Sequence, residues 1–138
     1  MNRVIFYTRG GNTEKLAHAI AKGANTQAQR ITPESVKEPA DILFIGASIY
    51  AGQIHNTLRE YLLKLEPGDA GLAVVFSTSA GRKHALQEVK EVLDPKGIKV
   101  LDQVYHCKGS FLGFVNRGRP NGLDLRGAEA FADQVCSE

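Results

Sequence analysis

The amino-acid sequence predicts an α/β fold: a three-layer, doubly wound, five-stranded parallel sheet in the order 2-1-3-4-5, with helices on both faces. Val4 to Phe6, Ile42 to Ile45 and Leu72 to Phe76 are nearly pure apolar runs, the pattern of strands covered on both sides. Helical stripes with their own stop signals lie between these runs, so strand and helix alternate and the strands must run parallel. Two weaker strand candidates, Gln27 to Ile31 and Ile98 to Cys107, carry polar and charged residues and belong at the edges. Strands 1, 3 and 4 are therefore central, and the order follows.

In chain order, Val4 to Tyr7 is apolar, β-branched and aromatic until Gly10 and Gly11 interrupt it. From Thr13 onward Leu16, Ala19, Ile20 and Gly23 fall at helical spacing. The stretch Thr32 to Ala40 holds two prolines, which leaves room for at most one helical turn. Ile54, Leu58, Tyr61, Leu62 and Leu65 make the next helical stripe, stopped by Pro67 and Gly68. Leu86, Val89, Val92 and Leu93 make another, stopped by Asp94, Pro95 and Gly97. The final helix is predicted from about Leu123 to Cys136, with Leu125, Ala128, Ala132 and Val135 on one face and Asn121 as its cap.

Composition bounds the function. A chain of 138 residues, 43% hydrophobic and 23% charged, suits one folded domain spanning residues 1–138. The net charge of +2 is too small to argue for a nucleic-acid partner. No apolar stretch approaches the roughly 20 residues of a membrane span, and no signal-like segment opens the chain, so a cytoplasmic location is expected. Cys107 and Cys136 lack metal-ligand spacing and read as reduced structural thiols.

Chemistry concentrates where the first strand meets the first helix. The turn Thr8, Arg9, Gly10, Gly11, Asn12 and Thr13 places two glycines and the uncharged donors Thr8, Asn12 and Thr13 at a helix start, where unpaired N–H groups favour an anion. A cap needs one such residue. This turn supplies Thr8, Asn12 and Thr13 besides the two glycines, which favours a phosphate. In an open sheet of this order ligands bind beyond the carboxyl ends of strands 1 and 3, where the turn meets two further loops, Ala47 to Gln53 and Ser77 to Arg82. Tyr50 in the middle loop either stacks on a planar ring or packs on the adjacent helix, and the residues alone favour neither.

These motifs resemble those of the short-chain flavodoxins, over the whole chain. Tyr7 to Thr13 is similar to that family's hydroxyl-x-hydroxyl-Gly-x-Thr loop around the 5′-phosphate of FMN. Gly46 to Gly52 resembles its second flavin loop, and Ser77 to Gly81 stands where its third belongs. The resemblance implies a flavodoxin-like fold and an FMN site comprising Thr8, Arg9, Gly10, Gly11, Asn12, Thr13, Ser48, Ile49, Tyr50, Ala51, Gly52, Thr78, Ser79, Ala80 and Gly81. Within it Tyr50 would stack on the isoalloxazine. The peptide between Ala51 and Gly52 would turn its carbonyl to N5 of the reduced flavin, a movement glycine permits.

The chain also departs from the family pattern. Gly10 replaces a second hydroxyl, the third loop has no aromatic, and the slightly basic charge contrasts with the acidity typical of flavodoxins. Arg9, Arg82 and Lys83 fall on or beside the ligand loops. The long segment Lys108 to Asn121, with Phe111, Phe114, Arg117 and Arg119, starts at the ligand end of the sheet. It borders the flavin and offers its arginines to an anionic partner, or it packs as an Ω-loop over strand 5, the reading slightly preferred.

His18, His55, His84 and His106 show no metal spacing and suit surface or capping roles. No nucleotide-hydrolysing phosphate loop, G-x-G-x-x-G turn or G-x-S-x-G elbow is present. The resemblance therefore implies an FMN-dependent electron carrier whose partners are a reductase and an acceptor enzyme. An alternative is an FMN oxidoreductase acting directly on a quinone, a porphyrinogen or another tetrapyrrole, because the second loop also looks like that of flavodoxin-fold protoporphyrinogen oxidases and quinone reductases. Its basic loops suit an anionic small substrate. A third reading is a flavin-free binding module, made weaker by the retained Thr8, Gly11, Asn12 and Thr13.

Overall fold

The computed structural model describes residues 1–49, 53–79, 85–109 and 118–137. Strands β1 (Asn2–Tyr7), β2 (Ala28–Arg30), β3 (Ala40–Ser48), β4 (Ala70–Ser79) and β5 (Val100–Lys108) form one sheet in the order β2-β1-β3-β4-β5. All four pairings are parallel. Helices α1 (Asn12–Gly23), α2 (Asn56–Leu63), α3 (Leu86–Leu93) and α4 (Gly122–Ser137) make the connections and the outer layers.

Alternation along each strand divides the core into two layers. Ile5, Ile45 and Val75 point to the side covered by α2 and α3, where Leu58, Leu62, Val89 and Leu93 are buried with them. Val4, Phe6, Phe44, Val74 and Phe76 face α1 and α4, against Leu16, Ile20, Ala128 and Ala132. The predicted apolar runs are thus covered on both sides, as their composition requires. Helices α1 and α4 approach closely at Gly23, where a Cβ would stand 2.1 Å from the carbonyl oxygen of Glu129. Only a residue without a side chain fits that crossing.

The ends of the elements show where local chemistry overrides periodicity. Helix α2 is shorter than its apolar stripe: His55 caps it by accepting from the Thr57 N–H at 3.1 Å through Nδ1, while Ile54 and Leu65 are buried just outside it. Similarly, Ile98 is buried ahead of β5 and its N–H reaches Leu93 O at 3.3 Å. The stretch after β2 makes one turn, closed by Ser35 N–H on Thr32 O at 3.0 Å. Asn121 caps α4 as expected, its Oδ1 accepting from the Asp124 N–H at 2.9 Å while Asp124 Oδ2 accepts from the Asn121 N–H at 2.8 Å.

Candidate functional site

The parallel register brings the carboxyl ends of the central strands level. Tyr7, Ala47, Ser77 and His106 make one row across the sheet, and Ser48, Thr78 and Cys107 the next. Because alternate residues face opposite sides, Ser48 and Thr78 point toward α1, where Thr13 occupies the first turn. Thr8, one residue beyond β1, joins them from its own end of the sheet.

The hydroxyls of Thr8, Thr13, Ser48 and Thr78 form one connected chain, and all four residues are buried. Ser48 Oγ donates to Thr8 Oγ1 at 3.0 Å, Thr13 Oγ1 is hydrogen-bonded to Ser48 Oγ, and Thr13 Oγ1 and Thr78 Oγ1 lie 2.9 Å apart. Each hydroxyl has one proton to give. With Ser48 donating to Thr8, the consistent direction runs from Thr78 through Thr13 and Ser48, so the Thr8 proton is directed out of the set. Thr8 Oγ1 also accepts from the Gly11 N–H at 3.2 Å, which closes the turn above this floor.

Gly11 has φ +87° and serves as the N-cap of α1 with no side chain to accept from the helix. A residue with a Cβ is strained in that conformation. Gly10 and Arg9 are exposed on the turn, and a Cβ on Gly10 would meet nothing within 4 Å. A helix start without a side-chain cap, above a neutral hydroxyl floor, suits a phosphate held by dipoles and hydrogen bonds. On this geometry the residues present fit the 5′-phosphate of FMN.

Asn12 faces the other flank of the turn. Gly109, just past β5, is packed so tightly on it that a Cβ there would lie 2.7 Å from Asn12 Nδ2. The Gly109 N–H donates to Ser79 O at 2.9 Å, so the chain leaving β5 borders the glycine-rich turn at its first residues. Arg119 makes a bidentate ion pair with Asp124 instead of facing outward for a partner, and its Nη2 donates to Asp124 Oδ1 at 2.8 Å. That hydrogen bond holds the Asp124 carboxyl below the usual carboxylate range. Phe111, Phe114 and Arg117 lie outside the described residues.

Of the second loop, Ser48 joins the floor, and Ile49 donates its N–H to Thr78 O at 2.9 Å. Tyr50, Ala51 and Gly52 are outside the described residues, as are Ala80 and Gly81 of the third loop and the neighbouring Arg82, Lys83 and His84. Stacking on Tyr50 and the turning of the Ala51–Gly52 carbonyl are what the resemblance implies. Thr78 and Ser79 stand at the carboxyl end of β4, where the third loop begins.

Sequence reasoning missed three residues that brace these loops. Arg30, at the end of β2, donates through Nη2 to the Thr8 carbonyl and lies 3.6 Å from Glu14 Oε1 through Nη1. Glu88 of α3 accepts from the Ile54 N–H at 3.2 Å and from Arg59 Nη2 at 3.1 Å, tying α3 to the exit of the second loop. His106 lies between two serines, with Nδ1 2.8 Å from Ser77 Oγ and Nε2 3.2 Å from Ser79 Oγ. Only alternation on β5 signalled the last of these, because it sets His106 on the same face as Val104. Burial pushes the Cys107 thiol up to about 11, which makes it an inert packing group. Among the described residues no group of three metal-ligating side chains comes together, and no helix is long and apolar enough to cross a membrane.

A family model of the flavodoxin domain matches residues 3–112. Among solved structures, a flavodoxin from the domain Archaea superposes with a TM-score of 0.75 at 18% identity, over 99% of this chain and 97% of that one. The rubredoxin oxygen:oxidoreductase of Desulfovibrio gigas gives 0.73 at 15% identity, over 99% of this chain but 35% of that larger protein. The apo form of an NADH:FMN oxidoreductase gives 0.67 at 19% identity, over 97% of this chain and 89% of its own. No curated protein matches the chain in sequence.

Proposed function

Since the chain belongs to the flavodoxin domain family, we propose that it binds FMN at the carboxyl end of its sheet and carries electrons between a reductase and an acceptor enzyme. Bound FMN would supply the capacity to accept and release electrons one or two at a time. The protein's part is to bind, orient and shield it. The observation that carries this reading is the buried hydroxyl chain of Thr8, Thr13, Ser48 and Thr78 beneath a helix start without a side-chain cap. Backbone N–H groups of residues 9–13 would hold the phosphate, with Asn12 at its flank and Tyr50 against the ring. Ser79, Ala80 and Gly81 of the third loop and Ile49, Ala51 and Gly52 of the second would complete the site around the flavin.

The four hydroxyls of the floor offer no general acid or base at pH 7. A carrier needs none. Cys107 and Cys136 are free thiols, which fits a reducing cytoplasm, and the 138 residues would act as one domain. A direct oxidoreductase acting on an anionic small molecule is the second reading, favoured by the exposed Arg9 and Lys108 at the ligand end of the sheet.

Titration of the purified protein with FMN, followed by stepwise anaerobic reduction, tests the first reading. Saturable binding, a resolved one-electron stage and electron delivery to a protein acceptor are expected. Failure to bind FMN would overturn both readings, whereas rapid unaided turnover of a quinone or porphyrinogen would favour the second.

A further inference from the structure

We propose that Arg30 selects the phosphorylated flavin over its unphosphorylated form, with Glu14 setting how much of its charge reaches the turn. The inference rests on the FMN reading above and assigns a specificity residue outside the glycine-rich turn. Arg30 ends the edge strand β2, in register with Phe6, and its guanidinium lies 5.6 Å from the centre of the Tyr7 ring. From there Nη2 donates to the carbonyl oxygen of Thr8, the first residue of the turn.

Two effects follow from that one bond. In a trans peptide the C=O and the following N–H point in opposite directions, so anchoring the Thr8 carbonyl to Arg30 aims the Arg9 N–H away from it. The bond also draws the negative end of the peptide dipole onto a cation, reducing repulsion of an incoming dianion. Beyond geometry, the guanidinium is a second fixed positive charge beside the turn, held in place by its bond to the Thr8 carbonyl, whereas Arg9 is exposed on the turn itself.

Glu14 tempers this charge. Its Oε1 stands 3.6 Å from Arg30 Nη1, and its Oε2 lies 3.6 Å from His18 Nε2. A carboxylate in the first turn stabilises α1 through the helix dipole but repels an anion bound at the same end. The side chains of Arg30 and Glu14 are 45% and 46% exposed, so solvent and salt screen the pair and the selectivity should be modest and salt-dependent.

Flavin binding to the apo protein tests this through the quenching of flavin fluorescence, with FMN and riboflavin titrated in parallel at low and moderate salt. Arg30→Met should weaken FMN about five- to tenfold while leaving riboflavin within about twofold, and should flatten the salt dependence of FMN binding. Arg30→Lys should recover a large part of the FMN preference, because it restores the charge without the planar fork. Glu14→Gln should strengthen FMN about two- to fourfold, and that gain should vanish in the Arg30→Met background. Circular dichroism melts would establish that each variant is folded.

Equal loss of FMN and riboflavin in Arg30→Met, or an unchanged ratio between them, would reduce Arg30 to a strap between β2 and the turn. A wild-type protein that bound neither flavin would instead overturn the FMN reading from which this inference starts.

Discussion

Gly10 is the position where a single added hydroxymethyl group is expected to help. The turn holds its neighbour Gly11 at positive φ, but Gly10 has no such constraint, and the space where its Cβ would stand is open. Gly10→Ser should supply the hydroxyl that the family usually places there. It is expected to raise FMN affinity about three- to tenfold, the worth of one hydrogen bond to a charged group in a partly wet site, read by equilibrium titration. Thr13 carries the opposite expectation. Thr13→Val keeps the shape but removes the hydroxyl that Ser48 and Thr78 share, leaving buried Thr78 with only its long 3.4 Å hydrogen bond to Ser48. A destabilisation of about 1–3 kcal/mol in urea unfolding is expected even without flavin. Thr8 and Thr13 were legible from the sequence because their motif is local. The bond from Arg30 to the Thr8 carbonyl was not, since it depends on an edge strand that contributes only Ala28–Arg30 to the sheet and carries no apolar signature.

Elements were legible in kind and less so at their ends. The stripe from Ile54 to Leu65 identified a buried helical face, but its outer members pack beyond the helix, because His55 starts α2 by capping and the helix proper ends at Leu63. Periodicity reports burial, and burial continues into the flanking turns. At α4 the cap itself was readable. The side-chain oxygens of Asn121 and Asp124 each accept from the other's backbone N–H, and Tyr105 Oη donates to the Asp124 carbonyl at 2.7 Å, fastening the start of α4 to β5. Asn121→Ala should lower stability by about 1 kcal/mol, visible as a fall of a few degrees in the melting midpoint. Of the two readings of Arg119, its ion pair suits the structural one, because the Asp124 carboxylate, only a few residues on, is brought opposite it by the cap.

At the scale of the molecule, the strand order was readable because the two-sided burial of β1, β3 and β4 leaves apolar runs, while the rims tolerate charge. The electrostatic response is distributed over the surface in the same way. Asp69, Asp102 and Asp124 all have carboxyls lowered from the ordinary range, chiefly by hydrogen bonds from Lys37, Lys90 and Arg119 respectively. Depressed carboxylates stabilise the folded state above their unfolded value of about 4, and the contribution is lost as pH falls through their lower folded values. Stability should therefore hold from neutrality down to about pH 5 and fall below about pH 4. Denaturant midpoints measured across that range, with Asp124→Asn losing part of the acid slope, would check the assignment. The rims of the sheet have a different consequence. Strand β2 offers only three residues as a template for another chain, whereas β5 offers nine. That longer rim exposes Asp102 and Gln103, and its register against β4 shifts between Ala73 and Val75. An incoming strand would have to bury a carboxylate and follow a broken ladder, so the chain carries its own guard against edge-to-edge aggregation.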